Sequence, residues 1–140
     1  MGGAVALMVA ARDERLRAVA ADSPYPNLEQ TLGHHLTLLY PWLPKIPFVW
    51  FVLTTYRLRF GIWPRQMSPQ ESAARLSPRA LLLIQGDHDP RIPAEGTTSM
   101  FAAAGEPKEL LIMGGGHLEG FSLDPSRYTD RLIRFFKTHL

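Results

Sequence analysis

The stretch RALLLIQGDHDPRIP, residues 79–93, runs from an unbroken apolar segment straight into a turn holding two aspartates. Residues 81–84 are LLLI, with no polar residue to mark a wet side. That pattern suits a β-strand covered on both faces, as in a parallel sheet, better than a half-exposed strand. A second stretch, ELLIMGGGHLEGF at 109–121, repeats the plan: an apolar run, a glycine turn, then His117. A third apolar run lies at 16–21, so strands are expected at 16–21, 80–85 and 109–113.

Helical patterns fill the gaps. In PAEGTTSMFAAAGEP, residues 93–107, Met100, Phe101 and Ala104 recur at helical spacing, and Gly105 is placed to end the helix in a left-handed cap. In DPSRYTDRLIRFFKTHL, residues 124–140, Asp124 precedes Pro125 as an N-cap, and Tyr128, Leu132, Phe135 and Phe136 share one face. Residues 2–11 are apolar all round, as a helix enclosed on every side would be. Alternation of strand and helix predicts the α/β class, with three parallel strands and flanking helices. The interval 24–77 interrupts it with prolines, the bulky run PWLPKIPFVWFVL and the capping box of Ser68 and Glu71. It is read as a helical cap inserted over the carboxyl end of the sheet.

At 140 residues and 46% hydrophobic content the chain suffices for one domain with a core of its own. The net charge of +2 is scattered, which gives no footing for nucleic acid. Without cysteine there is no thiolate metal site and no thiol nucleophile. Nothing at the start has the order of a signal peptide, so a cytoplasmic location is the expectation. The longest apolar segment, residues 46–56 between Lys45 and Arg57, is much shorter than the ~20 residues that cross a bilayer.

Reactive groups in open α/β sheets gather in the loops past the strands' carboxyl ends. Two such loops carry Asp87 and Asp89 on one strand and His117 on the next. An aspartate that meets the imidazole Nδ1 hydrogen fixes the tautomer, while Nε2 takes a proton from a nucleophile. This order, with Gly86, Asp89 and Pro93, then a Gly-Gly-His turn and a closing helix, resembles the carboxyl-terminal part of the α/β-hydrolase superfamily. The resemblance points towards serine hydrolases similar to dienelactone hydrolases and to dipeptidyl or acylaminoacyl peptidases. The opening MGGAVAL resembles the residues that follow the serine in their Gly-x-Ser-Met-Gly-Gly elbow.

The resemblance implies that Asp89 is the triad acid and His117 the general base. It implies that Met1 follows the nucleophile and supplies one oxyanion-hole amide, and that Gly3 lets helix pack closely on strand. It implies a small-molecule ester or peptide substrate and no cofactor. The serine itself is not in the sequence: Ser23, Ser68, Ser72, Ser77, Ser99, Ser122 and Ser126 all lie outside a Gly-x-Ser-x-Gly turn. A truncated sequence that starts just after the serine explains the opening, residues 1–140 being the carboxyl-terminal part of one domain. Such a chain is expected to be inactive by itself, and its first strand would expose an edge open to self-association.

Other readings stand beside these. A non-catalytic module could use the aromatic cap to bind a partner or a membrane surface. Asp87, His88, Asp89, His117 and Glu119 are metal-binding residue types at a spacing that matches no ligand motif. Asp87 is read as a turn former, His34 and His35 as facing water, and His139 as favoured by the helix dipole at its end. Asp22 and Ser23 are read as a strand-ending turn rather than pocket lining. Trp42, Phe48, Trp50, Phe51 and Trp63 are read mostly as packing.

Overall fold

A computed structural model describes residues 1–140. Helix α1 (Gly2–Ala10) leads into strand β1 (Ala18–Asp22). Helices α2 (Leu28–Leu39) and α3 (Lys45–Phe60), a 3-10 turn (Pro64–Gln66) and helix α4 (Pro69–Ala74) follow. The remainder is β2 (Ala80–Gly86), α5 (Ala94–Ala103), β3 (Lys108–Met113), α6 (Gly120–Leu123) and α7 (Pro125–His139). The strands form one parallel sheet in the order β1-β2-β3, with Ala21 beside Leu83 and Leu83 beside Leu110.

Strand β2 is central and wholly buried, which is why its sequence shows no polar alternation. Its side chains still alternate between faces. Leu81 and Leu83 pack with Leu7, Ala73, Leu76 and Met100 on one side. Leu82 and Ile84 pack with Leu111, Met113 and Phe135 on the other. Each fully buried leucine contributes about 1.5–3 kcal/mol of transfer free energy, so the two faces of this strand hold both helical layers to the sheet.

Several expectations need correction. Helix α1 is not enclosed: Ala4, Leu7 and Ala10 are buried at three-residue spacing, while Val5 and Val9 on the opposite side are exposed. Gly105 does not form a left-handed cap, because α5 ends at Ala104 in extended backbone. What Gly105 provides is room, since a Cβ there would lie 2.7 Å from Cβ of Ser77. Helix α4 falls within 24–77, yet Ala73 and Leu76 belong to the first core cluster, so the part standing away from the sheet is α2, α3 and the 3-10 turn. Both N-caps form, Ser68 accepting from the Glu71 amide and Asp124 from the Arg127 amide, but the Glu71 side chain does not return a bond to the Ser68 amide, so the capping box is half made. No helix is long and apolar enough to cross a membrane.

Candidate active site

The loops after β2 and β3 are interlocked. The Asp87 amide donates to the Met113 carbonyl at 2.9 Å, the His88 amide to the Gly115 carbonyl at 3.1 Å, and the Gly115 amide to Asp87 Oδ1 at 2.9 Å. Such closeness requires glycine. A Cβ on Gly86 would strike the carbonyl oxygens of Gly115 and Gly116, and Gly115 has φ of +102°, where side chains are strained. Glu119 closes the second loop by accepting from the Gly116 amide at 2.7 Å. Asp87 is thus more than a turn former, because it ties one loop to the other.

This clamp brings Asp89 and His117 together. Nδ1 of His117 lies 2.7 Å from Oδ2 of Asp89, and the aspartate's other oxygen accepts from the amides of Arg91 at 2.8 Å and Ile92 at 3.0 Å. The Asp89 side chain has no solvent exposure, and that of His117 retains 18%. Burial pushes the Asp89 carboxyl up, but the hydrogen bond from His117 and the two amides outweigh it and hold it below the ordinary 3.8. Asp89 is therefore ionised at neutral pH and can only accept, so Nδ1 carries the hydrogen, and in the neutral imidazole the lone pair is on Nε2.

The Asp89 loop has a support that sequence reading passed over. Gln85, buried at the end of β2, donates to the carbonyls of Gly86 at 3.1 Å and Ile92 at 3.0 Å, and accepts from Thr97 Oγ1 at 2.6 Å. Its signal was a polar residue closing an otherwise apolar strand. From the cap, His34 Nε2 donates to the Pro90 carbonyl at 2.7 Å, so His34 does not simply face water; nor does His35, whose Nδ1 donates to the Thr31 carbonyl at 2.8 Å. His139 sits 3.7 Å from Glu109 with its ring 5.0 Å from that of Phe135, contacts the dipole reading had left out.

A cleft of about 480 Å³ is lined by Met1, Gly3, Asp22 and Tyr128, among others, and by Leu118, the residue after His117. Asp22 is therefore pocket lining, contrary to expectation. Its carboxylate accepts from Tyr128 Oη at 3.0 Å and from Ser23 Oγ at 3.0 Å. Burial, with the Asp22 charge and hydrogen bond adding to it, pushes the Tyr128 hydroxyl up to about 12. Met1 borders the same cleft at the positive end of the α1 dipole, and a Cβ on Gly3 would lie 3.0 Å from the Asp22 carbonyl, so α1 rests directly on β1.

The remaining expected residues do not converge. His88 points into solvent and binds Asp87 at 2.6 Å, Glu119 is used by its own loop, and no three histidine, aspartate or glutamate side chains come together as metal ligands. Each serine with a side-chain hydrogen bond has it elsewhere than His117: Ser23 with Asp22, Ser68 with Glu71, Ser72 with Ser68, Ser77 with Glu106, Ser99 with Gln70 and Ser122 with Glu119.

Solved structures share this architecture along nearly the whole chain. An esterase of Pyrococcus furiosus superposes on 98% of it with a TM-score of 0.71 at 18% identity. An α/β hydrolase of Penicillium sp. sh18 covers 98% with a TM-score of 0.65 at 22% identity. The chain has the α/β-hydrolase fold. The esterase domain of a Rhodothermus marinus protein shows that fold over 99% of the chain, with a TM-score of 0.69 at 20% identity. In these three the chain accounts for 49%, 60% and 57% of the solved α/β-hydrolase-type chain. Among curated proteins, the uncharacterised YfhR of Salmonella typhimurium is 33% identical over 75 residues, which is 52% of this chain and 26% of that protein. The chain thus matches about a quarter of the length of its curated relatives. No protein family's profile matches the sequence.

Proposed function

We propose that this chain supplies the acid and base of a serine hydrolase that cleaves an ester or amide. The observation that carries the reading is the 2.7 Å contact between a buried, ionised Asp89 and Nδ1 of His117, which leaves Nε2 for proton transfer. In the reaction a serine outside these 140 residues attacks the substrate carbonyl, and its proton passes to Nε2 of His117. Asp89 stabilises the imidazolium that results, and the proton then goes from Nε2 to the leaving alcohol or amine. The backbone at Met1, beside the same cleft, is the place for an oxyanion donor. Hydrolysis of the acyl-enzyme runs the same proton path with water as nucleophile. The likeness in sequence order to dienelactone hydrolases and to dipeptidyl or acylaminoacyl peptidases supports the reaction class, and the esterases among the structural neighbours favour an ester.

Two preparations test it. The 140-residue chain alone is expected to show neither labelling by a fluorophosphonate probe nor turnover of p-nitrophenyl acetate. A polypeptide carrying an in-frame Gly-x-Ser immediately before Met1 is expected to show both. There, Asp89→Asn lowers kcat by about 10⁴-fold through loss of the correct tautomer, and His117→Ala lowers it at least as much. Turnover that survives His117→Ala overturns the assignment of the base.

A further inference from the structure

Helix α3 is apolar on more than one side, yet only Leu53 is buried. A helix with that composition is ordinarily surrounded by other apolar groups. Here Phe51 is 64% exposed and Leu58 82% exposed, and with Thr55 they form one outward row at i, i+4 and i+7. Trp50 flanks the row, and Trp42, 77% exposed, stands in the turn before α3. These aromatic residues, expected to be packing, form an open surface instead. The apolar groove of about 230 Å³ between α2 and α3 continues it through Leu39, Tyr40, Phe48 and Val52.

Charge shows what covers this surface. Residues 30–70 contain Lys45, Arg57, Arg59 and Arg65 and no aspartate or glutamate. Arg65 is bound to Glu29, and Arg57 lies 4.2 Å over the Trp63 ring, but none of the three other cations makes a salt bridge. A second copy of this chain would bring the same cations face to face across a two-fold axis, so self-pairing is opposed. Exposed tryptophans interleaved with basic residues, with Glu29 the one acidic residue of α2 and α3 and already bound to Arg65, match the apolar-to-anionic gradient at the headgroups of a bilayer. Ile46 is not helical, and the fourteen helical residues that follow it in α3 extend about 21 Å, enough to lie along such a surface.

We propose that the α2–α3 hairpin docks the protein on anionic lipid membranes, with α3 lying in the headgroup plane and Trp50, Phe51 and Leu58 inserted. The inference rests on the cap alone and stands whether or not the Asp89–His117 pair is catalytic. All three tryptophans of the chain, Trp42, Trp50 and Trp63, lie in this segment, so intrinsic fluorescence reports on it directly.

The test uses the 140-residue chain with phosphatidylcholine vesicles, with and without phosphatidylserine, in low and high salt. Flotation with the phosphatidylserine vesicles, a shift of tryptophan emission to shorter wavelength, and loss of both in high salt are expected. Phe51→Asp with Leu58→Asp abolishes binding. Lys45→Gln with Arg59→Gln lowers partition about twenty-five-fold, from roughly five-fold per cation. If the aspartate variant loses helix content by circular dichroism, the glutamine variant decides. Absence of flotation, or equal partition into phosphatidylcholine alone, overturns the proposal. So does a dimer seen by light scattering that Phe51→Asp dissociates while vesicles stay unbound, which would assign the face to a second copy.

Discussion

Asp89 is a buried carboxylate with three donors aimed at it, and that makes its charge a source of stability as well as of orientation. Its folded pKa lies below 3.8, so as pH falls the unfolded chain takes up the proton first. The stabilisation is therefore complete above the ordinary carboxylate range and is lost as pH drops through the depressed value. Asp89→Asn should lower the urea midpoint at neutral pH, and the midpoints of the two proteins should converge as pH falls below about 3.8. A gap that stays constant over that range would mean that the charge of Asp89 contributes nothing. Asp89 and His117 could be singled out in the sequence because each follows an apolar run at a glycine turn. Gln85 was marked only as a polar residue closing an apolar strand, and Tyr128 only as part of an apolar helix face, because the groups they hold, the Ile92 carbonyl and the Asp22 carboxylate, lie on other elements or loops.

At the scale of elements, β2 organises the molecule. Both core clusters meet on it, and both site loops are anchored at its carboxyl end. Leu83→Ala should destabilise the protein by about 2–5 kcal/mol, measured by urea denaturation, from lost transfer free energy and a residual cavity. An equal truncation at exposed Val9 should change stability by about 0.5 kcal/mol or less. The existence of β2, β3, α5 and α7 was legible because their apolar periods and caps are local properties. The enclosure of α1 was misread because composition reports which residues prefer burial, while the neighbours available decide which are buried. The same misreading applies to the cap aromatics, which look like packing by type and are exposed in fact.

For the whole molecule, the open features are the two outer edges of the sheet, at β1 and β3, and the aromatic face of α3. Strand β1 pairs with β2 alone, so the backbone groups on its other side have no strand partner within these 140 residues. Edges of this kind recruit strands from other chains. The 140-residue chain should associate as its concentration rises, measured by light scattering. This edge is separate from the proposed lipid-docking face.

The sequence by itself determined the α/β alternation, the apolar central strand and the two loops bearing Asp89 and His117, because periodicity, caps and glycine turns act over a few residues. Tertiary structure alone decided that those loops interlock through Gly86 and Gly115, that Asp22 and Tyr128 line the cleft beside them, and that the aromatic helix faces outward. Each of these depends on which surfaces meet across the sheet, and burial is a property of that meeting rather than of any residue's type.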